Sequence, residues 1–170
     1  MQRNEPGNYY FWNCLIPEHY TMNLERYPYI NSNDFQDYEF YSDGPKGRIK
    51  KIVMFTKIPN SEPPIYNLGF GDQDPYSGET DDVVVSNNED RDIVLATVAN
   101  TIVEFCNHYG NHYIYAKGST IARTRLYQMG IAGLWEQISK DFEVYGLKDD
   151  TWHVFKPNTI NYEAFLVKQK

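Results

Sequence analysis

Between Asn87 and Gly110 the chain carries a helix whose apolar side chains fall on one face, and a face of that length has to be covered by the rest of the fold. Val94, Val98, Ile102, Phe105 and Tyr109 recur at spacings of 4, 4, 3 and 4, with Leu95, Ala99 and Cys106 widening the stripe. Thr97, Asn100, Glu104 and Asn107 fall opposite. The run Asn87-Asn88-Glu89-Asp90 offers an N-cap followed by first-turn acids, Gly110 offers a stop, and His108 places a basic group in the last turn.

The segments around this helix read as strands. Tyr38 to Ser42 and Arg48 to Ile58 flank Asp43-Gly44-Pro45-Lys46-Gly47, a turn cluster that predicts a hairpin. Ile52 to Phe55 is an unbroken apolar run, which predicts a central strand buried on both faces. After the loop from Pro59 to Pro64, Tyr66, Leu68 and Phe70 alternate with Asn67, Gly69 and Gly71. That is a strand with one nearly bare face, open to another backbone or a ligand. His112 to Lys117 and Phe142 to Leu147 are further strands, and Thr151 to Phe155 with Tyr162 to Lys168 read as a closing hairpin across Pro157-Asn158. The order β-β-β-α-β-α-α-β-β-β predicts an α+β fold, a mainly antiparallel sheet packed on one side by two helical regions. With 170 residues, 41% of them hydrophobic, one domain is expected over 36–170. Residues 1–35, rich in aromatics from Tyr9 to Phe35 and broken by Pro6, Pro17 and Pro28, read as an irregular lead-in packed on it.

The second helical region is unusual at its start. Gly118-Ser119-Thr120 leads from a strand into a helix whose first residues include Arg123 and Arg125 and no acid, although a helix N-terminus already carries partial positive charge. At about 100° per residue, Ile121, Ala122, Leu126 and Met129 share one face, while Ile131, Leu134, Trp135, Ile138 and Phe142 lie on nearly the opposite one. A break at Gly130, assisted by Gly133, reconciles the two. Thr120, Arg123 and Tyr127 share a face, with Ser119 beside the N-cap. Glycine for close backbone approach, hydroxyls as neutral donors and an arginine fork suit a phosphate or carboxylate. The alternative is that Arg123 and Arg125 pair internally with Asp72, Asp74 or Glu163, and the spacing matches no standard phosphate loop.

Other chemistry is poorly supported. The loop Gly71 to Asp82 begins like a calcium loop at Asp72 and Asp74, but its glycine falls at 78 and its twelfth position is Val83. His108 and His112 straddle Gly110 and share no helical face, so no metal is expected, and no cofactor motif is present. Cys106 lies on the apolar stripe and reads as an inert core thiol. Neither a nucleophile elbow nor carboxylates at hydrolase spacing can be picked out. A net charge of −7 argues against coating nucleic acid broadly. The chain has no apolar run long enough to span a membrane and no secretory leader pattern, and only two cysteines, so a cytoplasmic protein is expected.

The segments GPKGRIKKIVMFTKI, YNLGFGD, VVVSNNEDRDIVLATV, GSTIARTRLYQMGI and NYEAFLVKQK together are similar to an uncharacterised family of small bacterial proteins. The resemblance runs from about Tyr38 to Lys170 and implies a complete single-domain protein, with no activity to carry over.

Two functional expectations follow from the residues. The first is a module binding a phosphate-bearing partner, a nucleotide or an RNA end, at Gly118, Ser119, Thr120, Arg123, Arg125 and Tyr127, with Asp72 and Asp74 as acidic neighbours. The second is a protein-interaction module, for example an inhibitor or partner in a bacterial conflict system, suggested by the acidic charge and by fifteen tyrosines. Oligomeric state is left open by the sequence.

Overall fold

A computed structural model describes residues 24–81 and 86–170. The expectations for Tyr9 to Tyr20 and for the end of the acidic loop lie outside the described residues. Twelve elements follow in order: β1 (Tyr29–Asn31), β2 (Asp37–Gly44), β3 (Gly47–Lys57), β4 (Ile65–Gln73), β5 (Thr80–Asp81), α1 (Arg91–Tyr109), β6 (Tyr113–Ala116), α2 (Ile121–Gly133), α3 (Trp135–Asp141), β7 (Phe142–Lys148), β8 (Thr151–Val154) and β9 (Ala164–Gln169). The described strands form one sheet in the order β1-β2-β3-β4-β6-β9-β7-β8, with β5 paired to β4. All its pairs are antiparallel except β4 with β6, whose ends are joined through α1, as a parallel pair requires.

The fold is therefore α+β, as the element order predicts. The predicted hairpin forms with Gly44 opposite Gly47, and Gly47 sits at φ 88°, where a side chain would be strained. In β3, Lys51, Val53 and Phe55 point to the helix side and are buried, while Met54 is 37% exposed. That corrects the reading of a strand buried on both faces. The strand is central, yet only one of its faces is covered by described residues. At Gly71 the bare face of β4 is approached closely by another backbone: an added Cβ would lie 2.7 Å from the Asp81 carbonyl oxygen.

Helix α1 lies over the sheet with Phe105 fully buried, its ring stacked on that of Phe55 at 4.3 Å between centroids and edge-on to that of Tyr66 at 4.8 Å. Thr97, Asn100, Glu104 and Asn107 do lie opposite the apolar stripe, yet that face is not left to solvent. Instead Thr97, Asn100 and Thr101 are buried, because residues ahead of β2 cross that side. The Tyr27 amide donates to Thr97 Oγ1 at 2.9 Å, and Asn31 donates to Glu104 at 2.8 Å. The part of the lead-in that is described is thus ordered, and contributes strand β1.

Three further readings are corrected. The final two strands do not pair as a hairpin, since β7 lies between β8 and β9 and bonds to both. The helical break falls at Leu134, not Gly130. Gly130 instead lets α2 approach α1, for a Cβ there would stand 1.8 Å from Leu95 Cδ1. The buried face of α2 is polar: Arg123, Thr124 and Gln128 are inside, while Ile121 is 92% exposed and Met129 45%. Gln128 explains this choice, donating to the Ile160 carbonyl at 2.6 Å and accepting from the Tyr162 amide at 3.0 Å. A buried backbone needing partners outweighs a few apolar side chains left in water.

The Phe105 stack predicts that Phe105→Ala lowers stability by about 3–5 kcal/mol in urea unfolding, with an unchanged denaturant slope. A loss under about 1 kcal/mol would show that α1 is not anchored there.

Candidate functional site

The start of α1 is pinned to the β2–β3 hairpin by the residues before it. Asn88, 2% exposed, donates to Ser42 Oγ at 2.9 Å and to the Gly47 carbonyl at 3.0 Å, and accepts from the Lys46 amide at 2.9 Å. Asp90, the N-cap, gives its carboxylate to the hydroxyls of Ser42 at 2.5 Å and Tyr27 at 2.8 Å. In consequence the Asp90 side chain does not cap α1, whose first amides have the donor character and partial positive charge of a helix start.

Opposite this helix start, β3 and β4 bring a lysine and an aspartate into register. Lys51 and Asp72 are direct cross-strand partners, and both point toward the helices. Lys51 is 5% exposed, and its ammonium donates to the Asp72 carboxylate and the Ser86 hydroxyl. A buried cation without such partners would cost several kcal/mol in lost hydration.

The third contribution comes from α2. Thr120 is the N-cap and accepts from the Arg123 amide at 3.2 Å, while the Gly118 amide donates to Thr124 Oγ1 at 3.1 Å. Gly118 has no room for a side chain, since a Cβ would lie 2.4 Å from the Thr124 nitrogen. Arg123 turns its guanidinium inward, where Nη2 donates to the Phe70 carbonyl at 3.0 Å and meets the Tyr127 hydroxyl at 3.5 Å. A guanidinium carried to the sheet and bonded there explains how this helix starts with cations and no acid.

These pieces enclose a cleft of about 620 Å³ whose wall includes Lys51, Asp72, Asn88, Arg123 and Tyr127 together with the first turn of α1. Acids occupy other parts of the wall: Glu89 is exposed, and Asp92 pairs with Arg91 at 3.2 Å. Of the residues expected to form a site, Arg123, Tyr127 and Asp72 are brought together. Gly118, Ser119 and Thr120 are not in the cleft wall, and Arg125 is exposed on the other side of α2. Asp74 caps its own loop by accepting from the Tyr76 and Ser77 amides, which hold its carboxyl below the ordinary range. Glu163 accepts from Lys148 at 3.4 Å. Among the described residues, the acids considered as partners for Arg123 are thus engaged by other groups. Burial pushes the Cys106 thiol up to about 11, so it stays protonated at neutral pH and is no nucleophile.

Lys51 was missed by sequence reading, though a signal existed. It shares strand phase with Val53 and Phe55, so a lysine was already aimed at the core. Asn88 carried no comparable signal, because its partners arrive from β2 and the hairpin turn.

Fold and cleft define a class: a single α+β domain with a cleft of mixed charge between a helix start and the face of a sheet. Residues 23–170 match a family of unknown function (DUF6934), and the chain belongs to that family. No curated protein and no solved structure matches the chain. No helix among the described residues is long and apolar enough to cross a membrane.

The Lys51–Asp72 pair yields a prediction. Lys51→Ala strands a buried carboxylate and lowers stability by about 3–5 kcal/mol, whereas Lys51→Met combined with Asp72→Leu recovers most of that loss. Chemical denaturation of the single and double variants measures it, and equal stability of wild type and Lys51→Ala would contradict a buried pair.

Proposed function

We propose that this domain is a small cytoplasmic module that binds a phosphate-bearing ligand, a nucleotide or an RNA end, in the cleft over β4. One observation supports the reading: two buried cations, Lys51 and Arg123, lie in the wall of the same 620 Å³ space as a helix N-terminus that its N-cap side chain, Asp90, leaves uncapped. Backbone amides at a helix start and an arginine fork are suited to phosphate oxygens, and the volume is that of ordinary small-ligand sites. Carboxylates such as Glu89 and Asp92 suit the hydroxyl or amino groups that a nucleotide carries beside its phosphate. The binding group proposed from sequence moves accordingly, from the Gly118 turn, whose amide is used by Thr124, to Arg123, Tyr127 and Lys51.

A second reading, a protein-interaction module, is favoured by the other face of the sheet. Tyr113, Tyr115 and Tyr145 are half-buried there, Trp152 is 39% exposed and Val154 63%, and no described helix covers them. The Tyr115 and Trp152 rings meet edge-on at 6.3 Å.

Calorimetric titration with inorganic phosphate and a nucleoside monophosphate separates the two. Wild type binds both, and Arg123→Gln weakens binding about tenfold or more, the value of a lost charge-assisted bond, while its circular dichroism stays native. No binding by wild type, or equal binding by both proteins, would contradict the phosphate reading.

A further inference from the structure

A second space opens beside the cleft, and its chemistry is different. It measures about 90 Å³ and lies between α1, α2 and the sheet, walled by Leu68, Val98, Ala99, Ala116 and Ile131 among other apolar residues, and none of its described wall residues is charged. Phe70, Leu95 and Tyr127 belong to both walls, so the two spaces meet there. Leu95, Ala99, Tyr127 and Ile131 on the helices and Ala116 on β6 line the space yet are only partly buried, which marks it as a slot reaching solvent and not a sealed void. The cause is the polar docking of α2. Its inward face is spent on Arg123, Thr124 and Gln128, so it brings few bulky apolar groups to the seam with α1.

We propose that the ligand of the cleft carries a short unbranched aliphatic arm, and that this arm occupies the slot while the anionic head meets Lys51 and Arg123. The inference rests on the phosphate reading of the cleft and departs from its nucleotide or RNA end: the ligand it assigns is a phosphate ester with a small apolar tail. Size limits the tail. At about 30 Å³ for a water-sized group, the slot holds roughly three such groups, and it is smaller than the about 150 Å³ cavity known to accept a benzene ring. An aromatic ring is therefore excluded, and a chain of a few carbons fits. The slot offers that chain no hydrogen-bonding partner beyond the Tyr127 hydroxyl, which already meets Arg123.

The test is a chain-length series measured by calorimetry: inorganic phosphate, then methyl, propyl, hexyl and phenyl phosphate, against wild type and Ala99→Leu. Wild type is expected to gain about fourfold in affinity per methylene up to propyl and to level off beyond it, with phenyl phosphate no tighter than methyl. Ala99→Leu, which fills the slot, abolishes the propyl advantage and leaves inorganic phosphate binding unchanged. Phosphate binding that is independent of chain length in wild type overturns the slot assignment and leaves the cleft standing. Absence of any binding by wild type overturns both. Should Ala99→Leu fail to fold, as its thermal melt would report, the wild-type series decides alone.

Discussion

Strand β4 holds both of the cations that are buried among the described residues, and the arrangement of the site depends on that. Its Phe70 carbonyl receives Arg123 from α2, and its Asp72 carboxylate receives Lys51 from β3. Each charge has given up most of its hydration, a loss that only well-placed partners offset. The second bond requires the β3–β4 register as it stands. A slip of one residue would turn Asp72 to the open face of the sheet and leave Lys51 buried beside no acid.

The helices are placed by different means, and the difference creates the binding space. Helix α1 is held by aromatic stacking under Phe105 on one side and by Tyr27 and Asn31 on the other, with its start fastened to the hairpin by Asn88. Helix α2 is held mainly by hydrogen bonds, through Thr124 to the Gly118 turn and through Gln128 to the segment before β9. Such contacts fix direction well and fill volume poorly. Gly130 brings the two helices together at Leu95, and away from that point the seam is loose enough to leave an apolar slot joined to a polar cleft.

The α1 stripe and the turn residues between strands were legible because each depends on local periodicity or on backbone conformation. The outcome for β3 shows the limit: an unbroken apolar run hid the period of two, and with it the inward aim of Lys51. On α2 the apolar count pointed to the wrong face, since the demand that decided the matter, the Ile160 carbonyl and Tyr162 amide, lies more than thirty residues along the chain. The pairing of β9 between β6 and β7 is likewise non-local, and adjacency in sequence suggested a hairpin that does not form. Arg123, Tyr127 and Asp72 were singled out from sequence and do share a cleft, but the Thr120 hydroxyl expected beside them accepts from the Arg123 amide at the start of α2 instead.

The central claim is that the surface over β4, and not the open face of the sheet, receives the ligand. A ¹H–¹⁵N correlation titration with propyl phosphate reads both surfaces in one experiment. Shifts are expected at the amides of Lys51, Asp72, Asn88, Arg91 to Leu95 and Arg123 and at Val98, Ala99 and Ile131 around the slot, with Tyr113, Tyr115, Tyr145 and Trp152 unmoved. Shifts at those aromatic strands with none at the start of α1, or no shifts at all, would contradict it.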